Sequence, residues 1–188
     1  MRTLSTALLV SALALSACTA VPSSPVSPQY ASNLATADSP FIQNNYAAAN
    51  SLIAQAQAKL SKTTPIIVAT LVNIDDLNNS STFGRLSSEQ VSAKFSQSNY
   101  TMIEMKFRGY VYMKQDQGEL LLTREIRDVA QSHNAQAVIV GTYALGRDTV
   151  FVNLKLIQPN TNVVMAVHDY TFPLDNNVAS MTRSMTRR

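Results

Sequence analysis

Cysteine occurs once in the 188 residues, at Cys18, so the chain can form no intrachain disulfide and its folded part must be held by packing. Glycine is almost as scarce. Gly84, Gly109, Gly118, Gly141 and Gly146 are the full set, and their spacing builds neither a phosphate-cradling loop nor a dinucleotide fingerprint. Histidine is limited to His133 and His168, without a second histidine or carboxylate at a metal-ligand interval, so neither a metal site nor another cofactor is expected. No serine sits in a nucleophile-elbow pattern, and catalytic residues are not expected. Charged residues make up only 14% of the chain and sum to +3, too weak a balance to imply nucleic acid as a partner. Apart from the start of the chain, no apolar run approaches the roughly 20 residues of a membrane-spanning helix.

What is present begins with Leu15-Ser16-Ala17-Cys18, which closes an apolar stretch. Arg2 supplies a short basic start, Leu8 to Leu15 an apolar run too short to span a bilayer, and small residues precede the cysteine. Residues 1–17 therefore read as a lipoprotein signal peptide whose removal lowers the net charge by one unit. Cys18 is then the expected first mature residue, acylated on its thiol and on its freed amine. Each buried methylene contributes about 0.8 kcal/mol and stable anchoring takes two or more chains, so three acyl chains hold a protein on a membrane essentially permanently. Thr19 stands where an inner-membrane retention signal favours Asp. The expected location is the outer membrane, with Cys18 in the lipid and the domain in the periplasm.

Residues 18–39 carry Pro22, Pro25 and Pro28 among small and polar residues and read as the acylated cysteine and a flexible linker. Ser39-Pro40 is an N-cap followed by proline at the first helical position, and a helix to about Ser61 follows, with Phe41, Ala49, Leu52, Ile53, Ala56 and Leu60 on one stripe. The β-branched run Ile66 to Val72 suits a central strand buried on both faces. A polar loop from Asn73 to Ser81 leads to Thr82, which can cap a helix to about Ser98, and Tyr100 to Met105 form the next strand. This is a βαβ pattern. Phe107 to Leu122 gives no clear periodicity. Thr123 can cap a helix to His133, with Asn134 in the left-handed end position.

The period then changes to two. Ala137 to Leu145 and Thr149 to Ile157 read as strands joined by Gly146-Arg147-Asp148, and Val163 to Phe172 as a third. The expected fold over residues 40–175 is a two-layer α/β sandwich: an N-terminal helix on a mixed sheet with βαβ crossovers that ends as an antiparallel meander. Residues 176–188, basic through Arg183, Arg187 and Arg188, read as a solvated tail.

The loop Asn73-Ile74-Asp75-Asp76-Leu77-Asn78-Asn79 follows the carboxyl end of a central strand, where open α/β sheets place ligands. Paired carboxylates there suit acid-base work or a cation. Asp and Asn that bond their own backbone in a turn and offset a helix dipole fit equally well, and the structural reading is preferred.

Four ordered blocks carry a family resemblance. They are Val72-Asn73-Ile74-Asp75-Asp76-Leu77, then Ser81-Thr82-Phe83-Gly84-Arg85-Leu86 with Glu89-Gln90, then Gly118 to Arg124, then Ala137-Val138-Ile139-Val140-Gly141-Thr142-Tyr143. Together with the lipobox they make the chain resemble the FlgO family over roughly residues 46 to 174. The resemblance implies an outer-membrane lipoprotein of Gram-negative bacteria associated with polar flagella and motility, with a fold similar to periplasmic domains of TolB and CsgG. The resemblance says little about partners; the leading reading is a non-enzymatic protein whose domain docks on envelope or flagellar ring proteins, with self-association left open. The expected contact is Asp75, Asp76, Gly84 and Arg85, and Arg85 has a structural ion pair within the domain as its alternative role. Two other readings stand beside it: an activator of a peptidoglycan synthase similar to LpoB, and an export component similar to CsgG.

Overall fold

The computed structural model describes residues 39–77, 80–104 and 124–183. Cys18, the linker, the stretch from Phe107 to Leu122, Thr123, Arg187 and Arg188 lie outside these residues. Helix α1 (Pro40–Ala56) begins where proline's missing N–H has no intrahelical acceptor to lose. Ser39 holds the cap position in extended backbone without a side-chain capping bond. The helix stops five residues short of the expected Ser61. Its end tightens into a turn in which the Lys59 N–H donates to the Ala56 carbonyl at 2.8 Å. Ala48, Ala49, Leu52 and Ala56 form its buried stripe.

The apolar run after Pro65 is two short strands rather than one. β1 (Ile66–Val68) and β2 (Val72–Asn73) both pair in parallel with β4 (Ala137–Leu145), but Val68 stands opposite Ile139 and Val72 opposite Thr142. Three residues, 69–71, therefore face two, 140–141. This extra residue has the character of a β-bulge, and it reverses the side on which every later residue of the strand falls. Ile66 and Val68 belong to the core under α1, whereas Val72 shares the opposite face with Thr142.

The bulge leaves backbone groups of its own, and helix α2 (Thr82–Gln97) satisfies them. Ser88 Oγ accepts the Leu71 N–H at 2.8 Å, and its own proton faces the carbonyl oxygens of Gly84 at 2.9 Å and Ala69 at 3.2 Å. Such contact brings helix and strand backbones very close. A Cβ on Gly84 would run into the Leu71 carbonyl oxygen, and one on Gly141 would lie 2.8 Å from Leu71 Cγ. Leu71 is thereby fully buried between two glycines.

The rest follows the expected order. β3 (Met102–Glu104) pairs in parallel with β1, and β5 (Thr149–Ile157) and β6 (Val164–Pro173) pair antiparallel after β4. The six-stranded sheet runs β3-β1-β4-β5-β6, with β2 also on β4. The α/β mixed sheet with a parallel half and a closing meander is as its sequence indicates. Asn134 takes φ 50°, and Gly146 N–H donates to Thr149 O at 2.8 Å across the hairpin.

One face, the near face, packs against α1 and α2 through Leu52, Phe83, Val91 and Phe95 on Ile66, Leu71, Ile139 and Leu154. On the far face α3 (Arg124–Ser132) sets Ile126 and Ala130 on Ile67, Val138, Val140 and Ile157. A helix thus covers part of the second face as well.

The C-terminal segment corrects the sequence reading. Instead of a solvated tail from residue 176, helix α4 (Asn176–Thr182) buries Val178 and Thr182 and contacts α2. Asp175 caps it by accepting the Val178 N–H at 2.8 Å, so the domain's packed chain extends to residue 182. A second correction concerns α2, whose cap is Ser81 rather than Thr82. Ser81 has the extended backbone a cap requires and accepts the Gly84 N–H at 3.2 Å, while Thr82 is already helical.

Gly84→Ala is expected to cost about 3 kcal/mol by overpacking against Leu71. Ser88→Ala is expected to cost about 1–3 kcal/mol by leaving the Leu71 N–H buried without an acceptor. Urea unfolding of the purified chain measures both.

Candidate functional site

The carboxyl end of β2 leads into the acidic loop. Ile74 continues the ladder by donating its N–H to Tyr143 O at 2.9 Å, and Asn73 then turns the chain. Asn73 Oδ1 accepts the Asp75 N–H at 3.0 Å, and its carbonyl accepts the Asp76 N–H at 3.2 Å. Asn73 therefore supplies the side-chain bond that holds the turn. The Asp75 and Asp76 side chains stand exposed.

Beside this loop α2 begins. Ser81 Oγ receives the Tyr143 O–H at 2.7 Å in addition to the Gly84 N–H, tying the helix start to the end of β4. Arg85 is exposed and folds back on the same turn, donating to Thr82 Oγ1 at 3.3 Å and Ser80 O at 3.5 Å. Burial raises the Tyr143 pKa above 10.0, and the hydrogen bond to Ser81 offsets part of that shift. The Asp76 charge raises it further and the Arg85 charge lowers it, so both groups lie within electrostatic reach of one hydroxyl. Of the four expected contact residues, Asp75, Asp76 and Arg85 lie on the surface at this end of the sheet. Gly84 is buried against Leu71, and its place is structural support for the helix start.

Below the site lies an aromatic platform. Phe83 meets Phe41 at 5.5 Å, Tyr143 at 5.0 Å and Phe172 at 5.5 Å between ring centroids, so α1, α2, β4 and β6 converge there. Tyr170 continues the cluster at 5.4 Å from Phe172. Its hydroxyl donates at 2.6 Å to Asn45 Oδ1, and the Asn45 amide donates to Gln90 Oε1 at 2.6 Å and Phe41 O at 3.1 Å. Asn45 is fully buried, and its amide ties α1, α2 and β6 together.

The far face carries a groove of about 500 Å³ beyond the reach of α3, floored by β4, β5 and β6. Ile74, Ala144 and Phe151 give it an apolar side, and Asn153 donates to Asp169 Oδ1 at 2.6 Å on the other. Phe151 is 55% exposed and Ile74 44%. Ile74 reaches this groove because the bulge has reversed the facing of β2. That apolar rim was not legible from the sequence, in which Ile74 reads only as a loop residue.

Chemistry is sparse among the described residues. No three His, Cys, Asp or Glu side chains gather as a metal would require. His168 stacks on Tyr170 at 5.9 Å, and His133 sits exposed at the end of α3. The arrangement presents charges and an apolar rim on a rigid base, which suits recognition.

Burial also pushes the Tyr170 hydroxyl far above the ordinary tyrosine range. An unfolded tyrosine releases its proton near pH 10 while Tyr143 and Tyr170 retain theirs, so stability is full below about pH 10 and falls as pH rises beyond it. Tyr170→Phe should make that alkaline decline shallower. At neutral pH it should cost about 1–3 kcal/mol, because Asn45 Oδ1 loses its donor. Urea unfolding followed from about pH 8 to about pH 11 tests both effects.

The sequence profile of the FlgO protein family matches residues 46–177. No curated protein matches the chain. Among solved structures, the LpoB C-terminal domain from Salmonella enterica aligns with 13% identity and a TM-score of 0.47, covering 67% of this chain and 95% of that one. The Escherichia coli LpoB C-terminal domain gives 12% and 0.46, covering 69% and 98%. A PelC dodecamer from Paraburkholderia phytofirmans gives 14% and 0.40, covering 65% and 82%. The matched span takes in the loop, the start of α2, the groove and the sheet beneath them, and by that span the chain belongs to the FlgO family.

Proposed function

We propose that this protein is a non-enzymatic lipoprotein of the outer membrane, anchored through an acylated Cys18. Its periplasmic domain docks on an envelope assembly and supports the flagellum and motility. The observation that carries the reading is the FlgO match over residues 46–177, which includes every residue of the charged loop and helix start. The docking surface comprises Asp75, Asp76 and Arg85, with Gly84 letting the helix start sit close enough to the strand to present Arg85. Charges of both signs on a rigid end of the sheet set orientation and encounter rate, while the apolar Ile74 and Phe151 beside them supply contact area. The partner is an envelope or flagellar ring protein, and copies of the chain can share one assembly.

In a flagellated host that carries the chain as its sole copy, Asp76→Ala with Arg85→Ala should reduce swimming while protein level and thermal unfolding stay unchanged. Undiminished swimming would remove this surface from the docking site. Cys18→Ser should move the protein from the membrane fraction to the soluble fraction. Mild cross-linking in whole envelopes identifies the partner: recovery of flagellar ring proteins supports the motility role. Recovery of a peptidoglycan synthase assigns the same domain to cell-wall regulation instead.

A further inference from the structure

Among the described residues β6 is the longest strand of the sheet and forms one of its edges. Its inward backbone groups pair with β5 along nearly the whole strand. Its outward groups recur every second residue, at Val167, Asp169 and Thr171. A row of unpaired backbone groups this long is a template for another strand, and folds close such edges deliberately.

Helix α1 closes this one. Gln55 Nε2 donates to the Val167 carbonyl at 2.9 Å, and Gln55 Oε1 accepts the Val167 N–H at 3.3 Å. A single side-chain amide thus makes both bonds that a facing strand residue would make. Three turns earlier on α1, Asn44 Nδ2 donates to the Thr171 carbonyl at 3.5 Å. The spacing suits the pair: about 16 Å along the helix from Asn44 to Gln55 against about 13 Å along the strand from Val167 to Thr171. Pro173 ends β6 with no N–H to offer.

The strand beneath is otherwise fit to pair with itself. Val164 is 48% exposed and Val167 41%. An antiparallel pair of β6 strands centred on Val167 would set Val167 opposite Val167 and Asp169 opposite Met165. The two copies of Asp169 would stay apart, so like charges would not oppose the pairing.

We propose that α1 acts as a stand-in strand, whose Gln55 and Asn44 amides keep the β6 edge from pairing antiparallel with β6 of a second copy of this chain. The substitutions that test it are mild, since alanine is the best helix former and Gln55 is exposed. Sedimentation velocity on the purified full-length chain compares the parent with the Asn44→Ala/Gln55→Ala double variant. The double variant should self-associate at least tenfold more tightly than the parent. Adding Val167→Pro, which removes the central outward N–H at a position where an edge strand tolerates proline, should return it to the parent's behaviour. Hydrogen exchange at the Val167 amide gives an independent reading: in dilute samples it should quicken on Gln55→Ala alone. The proposal falls if the double variant associates no more than the parent. It falls equally if association survives Val167→Pro, or if Val167 exchange is unmoved.

Discussion

The fold turns on one crowded point, where the bulged strand at residues 69–71 is held against the start of α2. Ser88 takes up the backbone groups that the bulge strands, Gly84 lets the helix reach them, and Gly141 receives the Leu71 side chain. A buried N–H without an acceptor costs about 1–3 kcal/mol, a sizeable fraction of a domain's net stability. The three residues therefore act as one joint. The direction of α2 depends on it, and so do the placement of Ser81 over Tyr143 and the presentation of Arg85 beside the acidic loop.

A second constraint is polar and lies at the other side of α1. Asn45 sits fully buried among apolar neighbours, yet each of its amide atoms has a partner on a different element or turn. Buried networks of this kind specify one arrangement because a shifted helix leaves several polar atoms unsatisfied together. With the Phe41, Phe83 and Phe172 rings packed on it, α1 has a single seat on the sheet. The charged end of the domain stands on that fixed base.

The meander was readable residue by residue. Val150, Val152, Leu154 and Leu156 alternate with Thr149, Asn153 and Lys155, and that period marks β5. The bulge was not readable, because Ile66 to Val72 contains no glycine or proline, and the polar residue at the break, Thr70, is β-branched and suits a regular strand. What interrupts the strand is Ser88, 17 residues later. Helix α4 escaped for a different reason: it has one turn of apolar contact, at Val178 and Met181, and its signal is only the Asp175 cap. At the candidate site the exposed charges Asp75, Asp76 and Arg85 were visible as a loop and a helix start. The buried place of Gly84 and the apolar rim at Ile74 were not, since both depend on the bulge.

That same bulge sets how the region tolerates change in length. Residues 69–71 are held to their number by the Leu71 N–H and the Ala69 carbonyl that they present to Ser88. Removal of Thr70 alone would set residues 69 and 71 against 140 and 141, so Val72 would stay opposite Thr142 and Ile74 on the groove side, but the straightened strand would take from Ser88 the groups it serves. The extra residue is therefore kept by the joint with α2 and not by the facing of the acidic loop.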